Sequence, residues 1–296
     1  MTWHAYRLVY QVKSPLHVGW RKMGNLMQTR PYITGRTWWG AATSLLTQHM
    51  GTYEDYRNIG KRVRDNLVFG YFFLADETRK PFLPAWKEGE LCYADLSADQ
   101  LQQRFLSSMA STAIDHESET AAEGQLHEVE FIAPKDADGR DVFVVGHLFA
   151  NGDQVTCEPK AIRWEGVDLL TAVLRNVQIG GERRYGFGVL ELVTQDGVEK
   201  VGDVFGRPFL DTGGIPSVRL QGEDNRALPF HCRVDGLAAE GEIEPLVGRE
   251  WDAQKGPGHK PVLSAAACWT PGSIAQSDCS VEIGEFGVGR FGTQLS

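Results

Sequence analysis

The chain has 296 residues, 42% apolar and 23% charged, with a formal net charge of −9 at neutral pH. Those figures are ordinary for a soluble globular protein with a sizeable core, in one large domain or two smaller ones. No apolar run is long enough to cross a bilayer and the N-terminus lacks a signal-peptide pattern, so the expected address is the cytoplasm. An acidic balance also argues against a generic nucleic-acid binder, because affinity for phosphate comes largely from Lys and Arg.

Residues 4–13 alternate, with Tyr6, Leu8, Tyr10 and Val12 on one side, and predict a half-buried strand. A loop carrying Pro15, Gly19 and Gly24 follows, then an amphipathic helix over Thr37–Met50 with Trp38, Ala42, Leu45 and Leu46 on its apolar face. At least one of Trp38 and Trp39 is expected to be a core anchor. Residues 51–125 are rich in turn formers and read as an insertion. Leu126–Ala133 and Val142–Ala150 read as paired strands joined through Asp138-Gly139, a strong hairpin signal. Val167–Val177 has helical periodicity and Phe187–Val193 is strand-like. The order β, α, β, β, α, β predicts an α+β fold, a ferredoxin-like plait over residues 1–198 with helices on one face of an antiparallel sheet. Residues 199–296 predict a β-rich region, with strands at Phe230–Val234 and Val262–Trp269, as a second, degenerate plait-like unit.

Charge is unevenly distributed. Residues 1–66 hold ten Lys or Arg against three acids, a net of +7, so residues 67–296 carry −16. A basic groove on an otherwise acidic subunit would produce that asymmetry. Basic residues of the first loop are His17, Arg21, Lys22 and Arg30, with Arg36 at the helix start. A second loop, Gly180-Gly181-Glu182-Arg183-Arg184-Tyr185-Gly186-Phe187-Gly188, combines glycines that tolerate positive φ and close approach with two cationic forks and two aromatic faces. Gly284–Gly292 repeats that chemistry around Phe286 and Arg290.

Gly287-Val288-Gly289-Arg290-Phe291-Gly292 formally matches a dinucleotide fingerprint, but only four residues remain after it and no helix can follow. Walker, HExxH and GxSxG patterns are absent. Five cysteines (92, 157, 232, 268 and 279) form no CxxC pair and read as scattered reduced thiols, so no metal or other cofactor is expected. His231 with Cys232, Cys268 and Cys279 fits no familiar ligand spacing, and His116 among Asp115, Glu117 and Glu119 reads as a solvated acidic loop.

The ordered set SPLHVG at 14–19, YITGRTWWGAA at 32–42, TAIDHESETAAEGQLHEVEFI at 112–132 and GGERRYGFGVLEL at 180–192 resembles the RAMP superfamily, RNA-binding subunits of CRISPR effector complexes, over about two-thirds of the chain. The resemblance implies a type III effector subunit. Its expected partners are the CRISPR guide RNA, other RAMP backbone subunits, a large polymerase-like subunit and target RNA. His17, Arg21, Lys22, Arg30, Arg36, Gly180, Gly181, Arg183, Arg184, Tyr185, Gly186, Gly188 and Arg290 are the expected RNA-binding residues. Target-cleaving relatives carry an aspartate in the first loop, and no Asp or Glu lies between Ser14 and Arg36 here, which implies a non-catalytic subunit. The alternative is a guide-processing endoribonuclease with His17 as general acid or base.

Overall fold

A computed structural model describes residues 2–50, 56–115, 119–121, 124–194, 196–222, 225–247, 249–252, 256–261 and 266–294. Strands dominate, and α-helices occupy Gly35–Met50, Tyr56–Asn66 and Ala98–Phe105. His116 and Val262 to Ala265 lie outside the described residues.

The first strand, Trp3–Val12, sits in the middle of an eight-stranded sheet. Its antiparallel neighbours are Phe143–Asn151 on one side and Val189–Leu192, with Val198–Val201, on the other. Phe143–Asn151 pairs in turn with Leu67–Phe69 and Phe72–Ala75. Tyr6, Leu8, Tyr10 and Val12 pack against the first helix, as their alternation predicts. The strand is nevertheless buried on both faces, because Trp3 and Ala5 pack under a second sheet. Trp38 is the anchor of the helical side, its ring 4.8 Å from Tyr10 and 4.4 Å from Phe72 between centroids. Trp39 instead faces the second helix, donating its indole N–H to the Gly60 carbonyl at 2.9 Å.

Three expectations are corrected. Leu126–Ala133 does not pair with Val142–Ala150: His127–Ile132 joins Leu106–Ser111 and, in parallel, Leu26–Thr29 in a separate four-stranded sheet. The turn between the two segments forms as its chemistry dictates. Asp136 accepts the backbone N–H of Asp138 and of Arg140, and Gly139 takes φ +79°. The chain then parts at Pro134, and the vacant place in the central sheet goes to Phe72–Ala75, inside the stretch read as an insertion. Composition explains the exchange. Phe72-Phe73-Leu74-Ala75 is continuously apolar and suits a strand covered on both faces, whereas 127–132 interleaves Glu128 and Glu130 and suits one open face.

The helix expected over Val167–Val177 shrinks to one wide turn, Leu169–Val173, capped by Asp168 through the N–H groups of Leu170 and Thr171. Val177 goes into a short strand, Asn176–Gln178, on the sheet edge. Among the described residues of 199–294 there is no α-helix, so the second plait-like unit expected there is a β-layer instead. Its eight strands run in the order Asp203–Val204, Arg207–Thr212, Ile215–Leu220, Cys279–Ile283, Gly289–Gln294, Cys232–Arg233, Ala266–Trp269, Ile243–Leu246. Val218, Leu220, Phe230 and Val281 share one core cluster with Ala5, Phe73 and Phe149 of the first sheet and with Tyr71, which links two of its strands. Face-to-face burial between the sheets, at about 25 cal/mol per Å² of apolar surface removed from water, holds the two halves together.

Candidate nucleic-acid interface

Both loops singled out in the sequence lie together. The Gly181 N–H donates to the His17 carbonyl at 2.9 Å and the Gly188 N–H to the Pro15 carbonyl at 2.7 Å. The Val189 N–H donates to Ser14 Oγ at 2.9 Å. The adjacent strands Trp3–Val12 and Val189–Leu192 of the central sheet deliver the loops to the same end, Lys13 following one and Gly188 preceding the other.

This joint changes the role of the glycines. A Cβ at Gly180 would lie 2.3 Å from the His17 carbonyl oxygen, one at Gly181 2.9 Å from the His17 ring, and one at Gly188 1.9 Å from the Ile179 carbonyl oxygen. Gly180 and Gly181 therefore serve contact between the two loops, and Gly188 closes the second loop on itself. Gly186, at φ +83°, faces open space. Between them Arg183–Tyr185 forms one tight turn, entered through Glu182 at φ 52° and left through Gly186. Arg183, Arg184 and Tyr185 are exposed, Tyr185 to 76%.

His17 is buried in the joint, and its Nδ1 lies 2.7 Å from the Glu130 carbonyl. A carbonyl only accepts, so Nδ1 carries a proton and donates it to this bond. The ring is a spacer between the loops.

From Val18 onward the first loop forms one wall of a cleft of about 620 Å³, with the second sheet opposite. Gly19–Met23 and Leu26–Thr29 make a short hairpin turned at Gly24, φ +58°. The cleft is lined by Arg21, Arg30, Arg36, Arg64, Arg233 and Arg290 against Glu242, Glu244 and Glu285. Four of the expected cations therefore converge, with two that sequence reading missed. Arg64 belongs to the second helix, and Arg233 to a strand whose neighbours are more than thirty residues away. No local pattern ties either to the first loop. Lys22, exposed on the hairpin, and the exposed Arg183 and Arg184 of the second loop do not line the cleft.

Glu244, on the edge strand of the second sheet, organises this wall. It accepts from Arg30 Nη1 at 2.6 Å, from the Trp20 indole N–H at 3.0 Å and, through a short hydrogen bond, from His231 Nε2. Burial raises the carboxyl pKa, but the His231 and Arg30 hydrogen bonds outweigh it and hold the group at about 2. His231 is fully buried, and burial pushes it below its ordinary value despite Glu244. It is thus a neutral Nε2–H ring whose Nδ1 accepts from the Tyr71 hydroxyl at 2.7 Å. Arg30, expected to hold phosphate, is instead committed to Glu244 and to the Tyr32 hydroxyl, 2.9 Å away. It is a strut between the loop and the second sheet.

Arg21 lies over the Trp20 ring at 3.9 Å, and its Nε donates to Gln28 Oε1 at 2.8 Å. Arg36 packs on Phe286 at 4.6 Å, and Arg64 faces Glu285 at 3.6 Å. The glycine-rich Gly284–Gly292 segment brings Phe286 here for a packing reason: a Cβ at Gly287 would stand 2.4 Å from the Phe69 carbonyl oxygen. Arg290, on the strand that follows, is exposed at the cleft. Cys232, Cys268 and Cys279 are buried near His231 in the second sheet, and burial raises all three thiols. Among the described residues no three His, Cys, Asp or Glu side chains are grouped to hold a metal ion. No helix among them is long and apolar enough to cross a membrane.

Two solved structures share this architecture. One is described as a cryo-EM structure of the type III-B Cmr-beta bound to cognate target RNA, with TM-score 0.55, 12% identity, and coverage of 91% of this chain and 86% of the other. Another, of type III-B Cmr-beta bound to cognate target RNA and AMPPnP, gives TM-score 0.52, 12% identity, and coverage of 91% and 85%. At that identity the likeness concerns the fold. Comparison with curated proteins gives no match. The RAMP superfamily model matches residues 9–191, which include most of the first sheet, both joined loops and the hairpin of the cleft, and the chain belongs to that superfamily.

Proposed function

We propose that this protein is a non-catalytic subunit of a type III CRISPR effector complex that grips the guide RNA, along its backbone or at its 5′ repeat tag, in antiviral defence. The observation that carries the reading is the arginine-lined cleft whose wall continues from the first of two hydrogen-bonded loops. Arg21, Arg36, Arg233 and Arg290 line a path for phosphate, and Arg183, Arg184 and Tyr185 extend it past His17. Family membership and the likeness to subunits of RNA-bound assemblies support it. We read the central sheet as a ferredoxin-like plait with its second helix reduced to a turn. Its order 189–192, 3–12, 143–151, 72–75, antiparallel throughout, supports this. The net −16 of residues 67–296 suits contact with protein neighbours, other RAMP subunits and a large polymerase-like subunit, in a cytoplasmic complex.

Endoribonuclease chemistry is the weaker reading. His17 has its Nδ1 committed to a carbonyl and its ring closed between the loops. Glu244 reaches the cleft but is engaged by three donors. The test is co-expression with the genomic neighbours and isolation of the bound RNA. A small RNA of defined 5′ end is expected, with Arg183→Ala plus Arg184→Ala lowering the salt-dependence slope of binding by about two. Metal-free cleavage of repeat RNA that vanishes in His17→Ala would overturn the non-catalytic reading.

A further inference from the structure

Three glutamates line the arginine cleft, and they are held differently. Glu244 is fixed by three donors. Glu285 meets Arg64 at 3.6 Å, beyond hydrogen-bond length, with the two side chains 57% and 35% exposed. The Arg64 Nε is buried and makes no hydrogen bond, and Asp65 stands 3.8 Å from it. An exposed ion pair at such a distance adds little stability, so its carboxylate is readily exchanged for another anion.

The position of Glu285 is nevertheless built. The turn that carries it is closed by the Gly284 N–H to the Val288 carbonyl at 2.9 Å and by the Gly287 N–H to the Gly284 carbonyl at 3.1 Å. Phe286 takes φ +60°, an unfavourable conformation for a bulky residue. Its ring meets Trp39 edge-on at 5.1 Å, and its carbonyl oxygen would lie 2.4 Å from a Cβ at Gly35. Three arginines surround this turn. Arg36 packs on Phe286 at 4.6 Å, Arg64 faces Glu285, and the Arg290 Nε would lie 3.7 Å from a Cβ at Gly284. The acids beside them are Asp65, Glu282 as the cross-strand partner of Arg290, and Glu285, of which Glu285 lines the cleft. Guanidinium groups gathered around one exposed carboxylate form the donor set of a phosphate site with a place filled from within.

We propose that Glu285 is an internal stand-in for phosphate: its carboxylate holds Arg64 in the RNA-free chain and is displaced when an RNA phosphate arrives, so Glu285 sets how tightly the strand is held. This inference rests on the RNA-binding reading and adds to it a competitor built into the chain itself. Binding has to break the Glu285–Arg64 pair and leaves a carboxylate beside the incoming phosphate, where like charges repel. Both costs vanish when the carboxylate becomes a carboxamide of the same shape.

The experiment measures binding of a labelled single-stranded oligonucleotide of the repeat sequence to the purified full-length chain, at salt concentrations from about 50 to 200 mM. Glu285→Gln should bind about three- to tenfold more tightly than wild type at the low-salt end, the effect of removing one unit charge close to a phosphate. Screening should shrink that gain at the high-salt end. The melting temperature should stay within about 2 °C of wild type, because an exposed pair contributes little to folding. In an Arg64→Met background the same substitution should gain less than half as much binding free energy. Unchanged or weaker binding by Glu285→Gln, a gain equally large in Arg64→Met, or a melting temperature lowered by more than about 4 °C overturns the stand-in and leaves RNA binding standing. No binding of the RNA by either the wild-type chain or Glu285→Gln overturns both.

Discussion

Glu244→Gln is the sharpest probe of how the two sheets are tied together. The carboxylate gives two oxygens to three N–H donors, from Arg30, Trp20 and His231. A carboxamide has one oxygen and an NH2 group, so the change removes the charge and turns a donor toward a donor. Depression of the Glu244 pKa from its ordinary 4.5 to about 2, at about 1.4 kcal/mol for each tenfold, sets a ceiling of roughly 3.4 kcal/mol. Water reaches the group, whose side chain is 18% exposed, and screening brings the expected loss at neutral pH to about 1.5–2 kcal/mol. The sign follows from linkage. A carboxyl whose folded pKa lies below its unfolded one stabilises fully above about pH 4.5, and that stabilisation fades as pH falls toward 2. Urea unfolding of wild type and variant at pH 7 and pH 3 measures it: the difference should narrow by more than half at the lower pH. A difference equal at both pH values, or below about 0.5 kcal/mol at pH 7, refutes the assignment of Glu244 as the ionised centre of this network.

Gly188→Ala forces a Cβ to within 1.9 Å of the Ile179 carbonyl oxygen at φ +84° and should cost more than about 2 kcal/mol. Gly186→Ala at φ +83° meets open space and should cost about 1 kcal/mol, so similar melting temperatures for the two variants would show that the loop joint is not rigid. Arg207 is buried, its Nε has no hydrogen-bond partner, and burial alone pushes its pKa down to about 10. Arg207→Met should therefore leave the melting temperature unchanged or raise it, and a fall of several degrees would mean the guanidinium has a stabilising role beyond its bond to the Phe205 carbonyl. Trp38→Ala, in the most aromatic part of the core, should lose about 3–5 kcal/mol in the same urea assay, and a loss under 1 kcal/mol would contradict its place as anchor.

Much of the architecture follows from local pattern alone. Alternation marks 4–13 as a strand, one residue off the observed 3–12, and 3.6-residue spacing marks the first helix, because each period is a direct consequence of backbone geometry. Glycine, proline and Asp-Gly chemistry likewise locates the turn at 136–139 and the tight loop at 180–188. The meeting of the first loop with the second rests on their bordering two strands that pair antiparallel in one sheet. What the amino acids by themselves leave open is which apolar strand wins a given place. Phe72–Ala75 displaces 127–132 from the central sheet because that place is covered on both faces, and coverage by the second sheet is a property of the whole molecule. Charge partners are decided at the same level. Arg30 reads as a free phosphate ligand until Glu244, 214 residues away, arrives beside it, and Arg64 and Arg233 become cleft residues only when helix and strand fold against the first loop. Hydrophobic periodicity acts over a few residues of one element, whereas ion pairing and burial on a second face require groups that only tertiary packing brings into contact.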